Sequence, residues 1–211
     1  WIGRTSAIVP YIVEVDSRLD CYNSGAINLQ HVTPQGTAIC IDKPDEDSIT
    51  QDQLSYIKSL LDTVEGDAYT RGSMDKINPV SFADWYLIQE LFRNNDAVFI
   101  SSDYMWKDTD SATVPADRLV NMGPIWDFDS SAGNIDFNDN WETSGCWVSK
   151  QVDGYPPNWI NRLFYNSAFR DLVLARWKQK RPALESLINS SIGAYAGQLE
   201  SPQQRNFAKW P

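Results

Sequence analysis

The segment NNDAVFISSDYMWKDTDSATVPADRLVNMGPIWDFD, residues 94–129, carries two extended runs, Phe99–Lys107 and Arg118–Ile125, on either side of a polar turn at Asp108–Asp117. Two such runs around a turn predict a β-hairpin. An antiparallel hairpin brings the chain back to the end where it began, so the residue before the first run and the residue after the second come close. Those residues are Asp96 and Asp127. Asn94, Asn95 and Asp96 break the preceding helix, because all three side chains compete for backbone hydrogen bonds. Past the second run stand Asp127 and Asp129, on one side if strand alternation persists, with Phe128 turned into the core. Two carboxylates at one rim suit Mg²⁺, which takes a few carboxylates together with phosphate oxygens and water. The competing reading is a turn whose aspartates cap nearby backbone groups.

Upstream, Ala7–Asp16 reads as a strand with Tyr11, Val13 and Val15 on one face, and Pro10 suggests an edge position or a bulge. A second strand is expected at Ala38–Ile41, with loop and at most a strand fragment between. Thr50 and Gln53 form a capping box ahead of Leu54, Ile57, Leu61 and Val64 at helical spacing, and Gly66 stands where a C-cap glycine belongs. Asn78-Pro79 opens a second helix, expected to be largely buried, with Phe82, Trp85, Tyr86, Ile88, Gln89 and Phe92 on its broad apolar face. Downstream, 129–157 has no clear period and reads as a long ordered loop covering a site. Helices are expected at Asn158–Tyr165, at Ser167–Gln179 and from Pro182 to about Leu199.

Composition narrows the chemistry. The chain has 211 residues, 42% hydrophobic, which is enough for a real core. Its longest apolar runs are a few residues, so no transmembrane or signal segment is expected within it. A net charge of -10 argues against nucleic-acid binding. That charge is uneven, with residues 160–211 at +5 and the rest at -15. One histidine, His31, and three cysteines, Cys21, Cys40 and Cys146, are too few for the common zinc sites, so any metal is expected to have oxygen ligands. One disulfide with a free thiol and three reduced thiols are both compatible with that count. An EF-hand fails from Asp127, because positions 6 and 12 are Ala132 and Asn138. No G-x-S-x-G, Walker or G-x-G-x-x-G motif occurs.

The runs Asp84-Trp85-Tyr86-Leu87-Ile88-Gln89-Glu90-Leu91, Asn94-Asn95-Asp96, Tyr104-Met105-Trp106-Lys107-Asp108 and Met122-Gly123-Pro124-Ile125-Trp126-Asp127-Phe128-Asp129 resemble the CotH family, the bacterial spore-coat-protein-H-like atypical kinases. Tyr11-Ile12-Val13-Glu14-Val15-Asp16, the segment Asp42–Tyr56, and Trp159-Ile160-Asn161-Arg162-Leu163 with Phe169 and Arg176-Trp177 fit in the same order. The resemblance implies an α+β, divergent protein-kinase-like fold, mainly the helical carboxy-terminal lobe with a small antiparallel sheet or hairpin. Residues 1–211 would be one partial CotH kinase-like domain, with the amino-terminal lobe and its phosphate-contacting lysine outside it.

What the resemblance implies about function is a transferase that binds ATP and Mg²⁺ or Mn²⁺ and passes the γ-phosphate to Ser or Thr hydroxyls of a protein, secreted or at the cell surface. Asp96 would match the catalytic aspartate. Asp127 would match the magnesium-binding aspartate, and Asp129 the second acid of its W-D-x-D motif. Many members carry an N-x-Y pattern in the strand after the catalytic aspartate, where this chain has Ser102-Asp103-Tyr104, so Asp103 or Asn95 would serve in place of that Asn. Two alternatives stand beside this: a catalytically inactive secreted or surface binding protein, with carbohydrate as its candidate ligand, and a glycosyltransferase whose D-x-D is Asp127-Phe128-Asp129.

Overall fold

The computed structural model describes residues 9–21, 27–137, 141–148 and 158–210, apart from the side chain of Arg71. The chain divides into two compact units, Trp1–Val173 and Leu174–Pro211. In the first unit lie β1 (Tyr11–Val15), β2 (Gln30–Val32), β3 (Ala38–Lys43), α1 (Gln51–Arg71), α2 (Pro79–Phe92), β4 (Asp103–Lys107), a 3-10 turn (Pro115–Arg118), β5 (Asn121–Met122) and α3 (Trp159–Leu163). The long α4 (Ser167–Lys209) begins in this unit and makes up most of the second. The fold is α+β, with helices beside one small antiparallel sheet in the order β2-β3-β1-β4-β5.

β1 is central in that sheet, so Pro10 does not mark an edge. It precedes the first paired residue, where a missing N–H costs no ladder bond. A register shift between Ile12 and Val13 on the β3 side supplies the expected bulge. Tyr11, Val13 and Val15 are buried with Ile39, Ile41 and Met105, and the same core takes in Leu54, Ile57 and Leu61 of α1 and Phe82 and Trp85 of α2. A disulfide joins Cys21 to Cys40, and Cys146 is free and exposed.

The capping box at Thr50 and Gln53 is present in both directions. The other end differs from expectation: α1 continues through Gly66 and stops at Gly72, which is left-handed at φ 59. Interior glycine costs a helix about 1 kcal/mol, and buried contacts one turn around it outweigh that. Glu65 is 0% exposed. Its carboxylate accepts from Thr33 Oγ1 (2.6 Å), Thr37 Oγ1 (2.8 Å), the Gln35 N–H (2.8 Å) and Trp159 Nε1 (3.3 Å), which ties the β2–β3 turn and α3 to α1.

α2 starts at the Asn78 cap with Pro79 in its first turn. It buries Phe82, Ala83, Trp85, Tyr86 and Gln89, whereas Phe92, expected inside, is exposed and meets Phe128 edge-on. The hairpin is real and shorter than read, pairing Met105 with Met122 and Trp106 with Asn121. Phe99–Ser102 is turn rather than strand, and Pro115–Arg118 is a 3-10 turn. Lys107 closes the connection by donating from Nζ to Asp110 Oδ1 (2.6 Å), the Asp108 carbonyl (3.2 Å) and the Arg118 carbonyl.

His31 lies in β2 rather than in a loop and meets Asp62 of α1 at 2.7 Å. The two final helices expected from sequence are one, α4, running through Pro182 and Pro202. Each proline forfeits a backbone hydrogen bond; an Arg181–Glu185 pair at 2.7 Å spans the first. Only the first turns of α4 contribute to the core, through Phe169 and Val173. Of the loop expected at 129–157, the stretches 129–137 and 141–148 are irregular and the remainder lies outside the described residues. No described helix is long and apolar enough to cross a membrane.

Candidate functional site

α2 ends because Arg93 turns left-handed at φ 48, its N–H donating back to the Gln89 and Glu90 carbonyls. The Asn94 side chain, 1% exposed, then folds beneath the helix end. Residues 95–102 form an irregular turn in which Phe99 (φ 63) and Ser102 (φ 59) are also left-handed. A bulky residue there is under strain of roughly 1–2 kcal/mol. Two things hold Phe99: its ring packs between Trp85 (6.2 Å) and Trp159 (5.6 Å), and its N–H donates to Asp103 Oδ2 at 2.9 Å.

The other limb follows α2 along its length. The Asn78 N–H donates to the Val120 carbonyl (2.8 Å), the Met122 N–H to Ser81 Oγ (3.2 Å), and Asn94 Nδ2 to the Asp127 carbonyl (3.0 Å). The Asn95 N–H meets the Ser130 carbonyl at 3.1 Å, and the Ala132 N–H the Phe92 carbonyl. Strand geometry stops at Met122, so alternation does not place Asp127 and Asp129. Asp127 is left-handed at φ 56, and both acids are exposed. Phe128 does not enter the core; it is half-buried with its ring 5.6 Å from Phe92.

The carboxylates act on one another. Partial desolvation, a hydrogen bond with Asp129, and the negative charges of Asp129 and Asp96 push the Asp127 carboxyl above the usual carboxylate range, against the Ser102 hydroxyl at 3.4 Å. Asp96, half-buried, is raised by burial and by Asp129, while Asn95 Nδ2 (3.1 Å from Asp96 Oδ1) and Arg18 work the other way. Asp103 is 1% exposed and raised well above the ordinary value by burial, with Asp96 and Glu14 adding to it and the Phe99 N–H opposing. Glu14 is raised by burial and by Asp42 and Asp16; it accepts from the Ser102 N–H (3.1 Å) and from Tyr104.

Of the residues singled out in the sequence, Asp96, Asp127 and Asp129 therefore interact at one end of α2, with Asn95 bonded to Asp96. Asp103 sits under the same turn, its carboxylate aimed at backbone rather than outward. Three residues belong to this constellation that sequence reasoning did not pick: Glu14, Ser102 and Asn94. Glu14 carried a signal, since it is the polar residue on the opposite face of an apolar strand, and the β1–β4 register sets it across from Tyr104.

The negative charge of Asp129 raises the Asp127 carboxyl, a repulsion that a bound cation would relieve. Among the described residues no three of His, Cys, Asp or Glu are grouped so as to hold a metal ion. A two-carboxylate oxygen set fits Mg²⁺, which keeps waters and phosphate oxygens in its shell, better than it fits an ion needing an all-protein cage. A protein-family model described as CotH kinase protein matches residues 18–211. No curated protein and no solved structure matches.

Proposed function

This chain belongs to the CotH kinase protein family, and on that premise we propose that it transfers the γ-phosphate of ATP to Ser or Thr hydroxyls of a protein acceptor. The observation that carries this is the meeting of Asp96 with Asp127 and Asp129 at the end of α2, where Asn94 bonds to the backbones of both Asp96 and Asp127 and the Asp129 charge raises both of those carboxyls. In this reading Asp96 orients the acceptor hydroxyl and takes its proton. Its half-buried setting, which favours the protonated form, makes it a better base than a solvated aspartate. Asp127 and Asp129 would hold Mg²⁺ or Mn²⁺, which supplies neutralisation of the phosphate charge. Asn95, bonded to Asp96, is the candidate for an additional contact to the nucleotide or its metal, whereas Asp103, buried beneath the turn, holds the Phe99 N–H instead. Ser102 steadies the Asp127 carboxylate, and Glu14 steadies Ser102.

The Cys21–Cys40 disulfide supports a secreted or cell-surface location, where disulfides persist. The acidic charge favours a protein acceptor over a nucleic acid. In the complete protein, Asp96→Ala and Asp127→Ala are each expected to lower transfer of labelled γ-phosphate by at least about a hundredfold; undiminished transfer in either would sink the assignment.

One observation favours the second reading, a binding protein without catalysis. Trp126, Phe137 and Trp141 are exposed at 60%, 71% and 65% in the segment that holds Asp127 and Asp129, and flat amphipathic rings suit sugar faces. Glycan binding that survives both aspartate substitutions, with no phosphate transfer, would establish it.

A further inference from the structure

We infer that Asn94 is a positioning residue, a buried clamp that fixes Asp127 relative to Asp96; this rests on the kinase reading above. Asn94 is almost fully buried, and every polar group it offers is used. Its Nδ2 donates both to Gln89 Oε1 of α2 (3.1 Å) and to the Asp127 carbonyl (3.0 Å). Its Oδ1 accepts from the Asp96 N–H at 3.4 Å, and its own carbonyl accepts from Trp147 Nε1 at 2.7 Å.

One amide therefore touches the backbones of both aspartates while anchored to a buried residue of the helix. No other residue type of that size supplies this. Aspartate lacks the donor and would set a charge against the Asp127 carbonyl and Gln89 Oε1. Alanine would leave buried partners unsatisfied. The clamp matters because Asp127 is left-handed without being glycine, a conformation the surroundings must enforce. Trp147 is itself held, its N–H at 2.7 Å and that of Val148 at 2.9 Å on the Glu90 carboxylate, with Arg93 over its ring at 5.0 Å. Asn94 is thus the point where α2, the Asp96 turn, the Asp127 segment and the 141–148 stretch are joined.

The test uses the complete protein with Asn94→Asp and Asn94→Ala, and Glu65→Gln as a control that loosens the fold through the β2–β3 turn and α3. Amide exchange of residues 123–134 is followed by mass spectrometry, and Mn²⁺ binding by electron paramagnetic resonance. Both Asn94 variants are expected to speed exchange in 123–134 beyond any change in α1. They should also weaken Mn²⁺ binding by about tenfold or more, as loss of a group orienting a metal ligand does, and lower kcat with the acceptor KM little changed. Exchange in 123–134 matching that of the parent, or the same local change in Glu65→Gln at equal loss of Tm, would overturn the clamp. A parent protein that binds no Mn²⁺ and transfers no phosphate would instead refute the kinase reading, and the exchange measurement would still decide the role of Asn94.

Discussion

Asp103 shows what a single residue's surroundings can do. Its sequence position suggested a ligand for nucleotide or metal, yet folding places the carboxylate inside, where it holds the Phe99 N–H. Burial raises its pKa, so the folded chain keeps this proton at pH values where the unfolded chain has lost it. Above about pH 3.9, the unperturbed aspartate value, the unfolded state binds fewer protons. Stability therefore falls as pH rises, until the folded-state pKa is passed. Asp103→Asn removes that titration. Thermal unfolding from about pH 4 to pH 7 is expected to show the Tm of the variant gaining on the parent's as pH rises; parallel curves would mean that Asp103 is not the titrating group. Asp127 teaches a related lesson. Its type and its meeting with Asp96 were readable, but its backbone conformation was not, because a left-handed aspartate is imposed by contacts made 33 residues away in sequence at Asn94.

Among the elements, α1 separates what is local from what is not. The capping box at Thr50 and Gln53 is written in adjacent residues, and it formed as read. The helix ends at Gly72 and not at the expected Gly66, because a C-cap glycine and an interior glycine look alike until tertiary contacts decide between them. Gly66 is exposed and an added Cβ there meets nothing within 4 Å, whereas at Gly72 (φ +59) it would lie 3.1 Å from Asn166 Cβ. Gly66→Ala should therefore raise stability by about 1 kcal/mol. Gly72→Ala should lower it by roughly 1–2 kcal/mol. Chemical denaturation of both variants checks this, and opposite signs are the required outcome. The hairpin behaves likewise: its existence followed from two extended runs around a polar turn, while its short length reflects the left-handed Phe99 and Ser102 and the 3-10 turn at Pro115–Arg118.

At the scale of the whole molecule, the two units are built differently. The first has a core that takes in the sheet, α1, α2, α3 and the start of α4; beyond Val173 no described residue is buried, and Leu187, Ile192, Tyr195, Leu199 and Phe207 are exposed. Helices without a packed face are marginal in water. Amide exchange in 174–210 is expected to be far faster than in α1 and α2, and equal protection would show that the segment is packed in solution. By itself the sequence determined the helix starts at Thr50 and Asn78, the hairpin, and the convergence of Asp96 with Asp127, since each depends on side chains near in sequence or on the geometry of one hairpin, while the α+β class followed from the resemblance of its motifs. Only the tertiary structure decided the central place of β1, the true end of α1, the pairing of Cys21 with Cys40, the inward turn of Asp103, and the inclusion of Glu14, Ser102 and Asn94 beside the aspartates. These depend on strand register and on buried polar groups finding partners across the fold, and a buried donor or acceptor takes whichever partner the packing brings within reach.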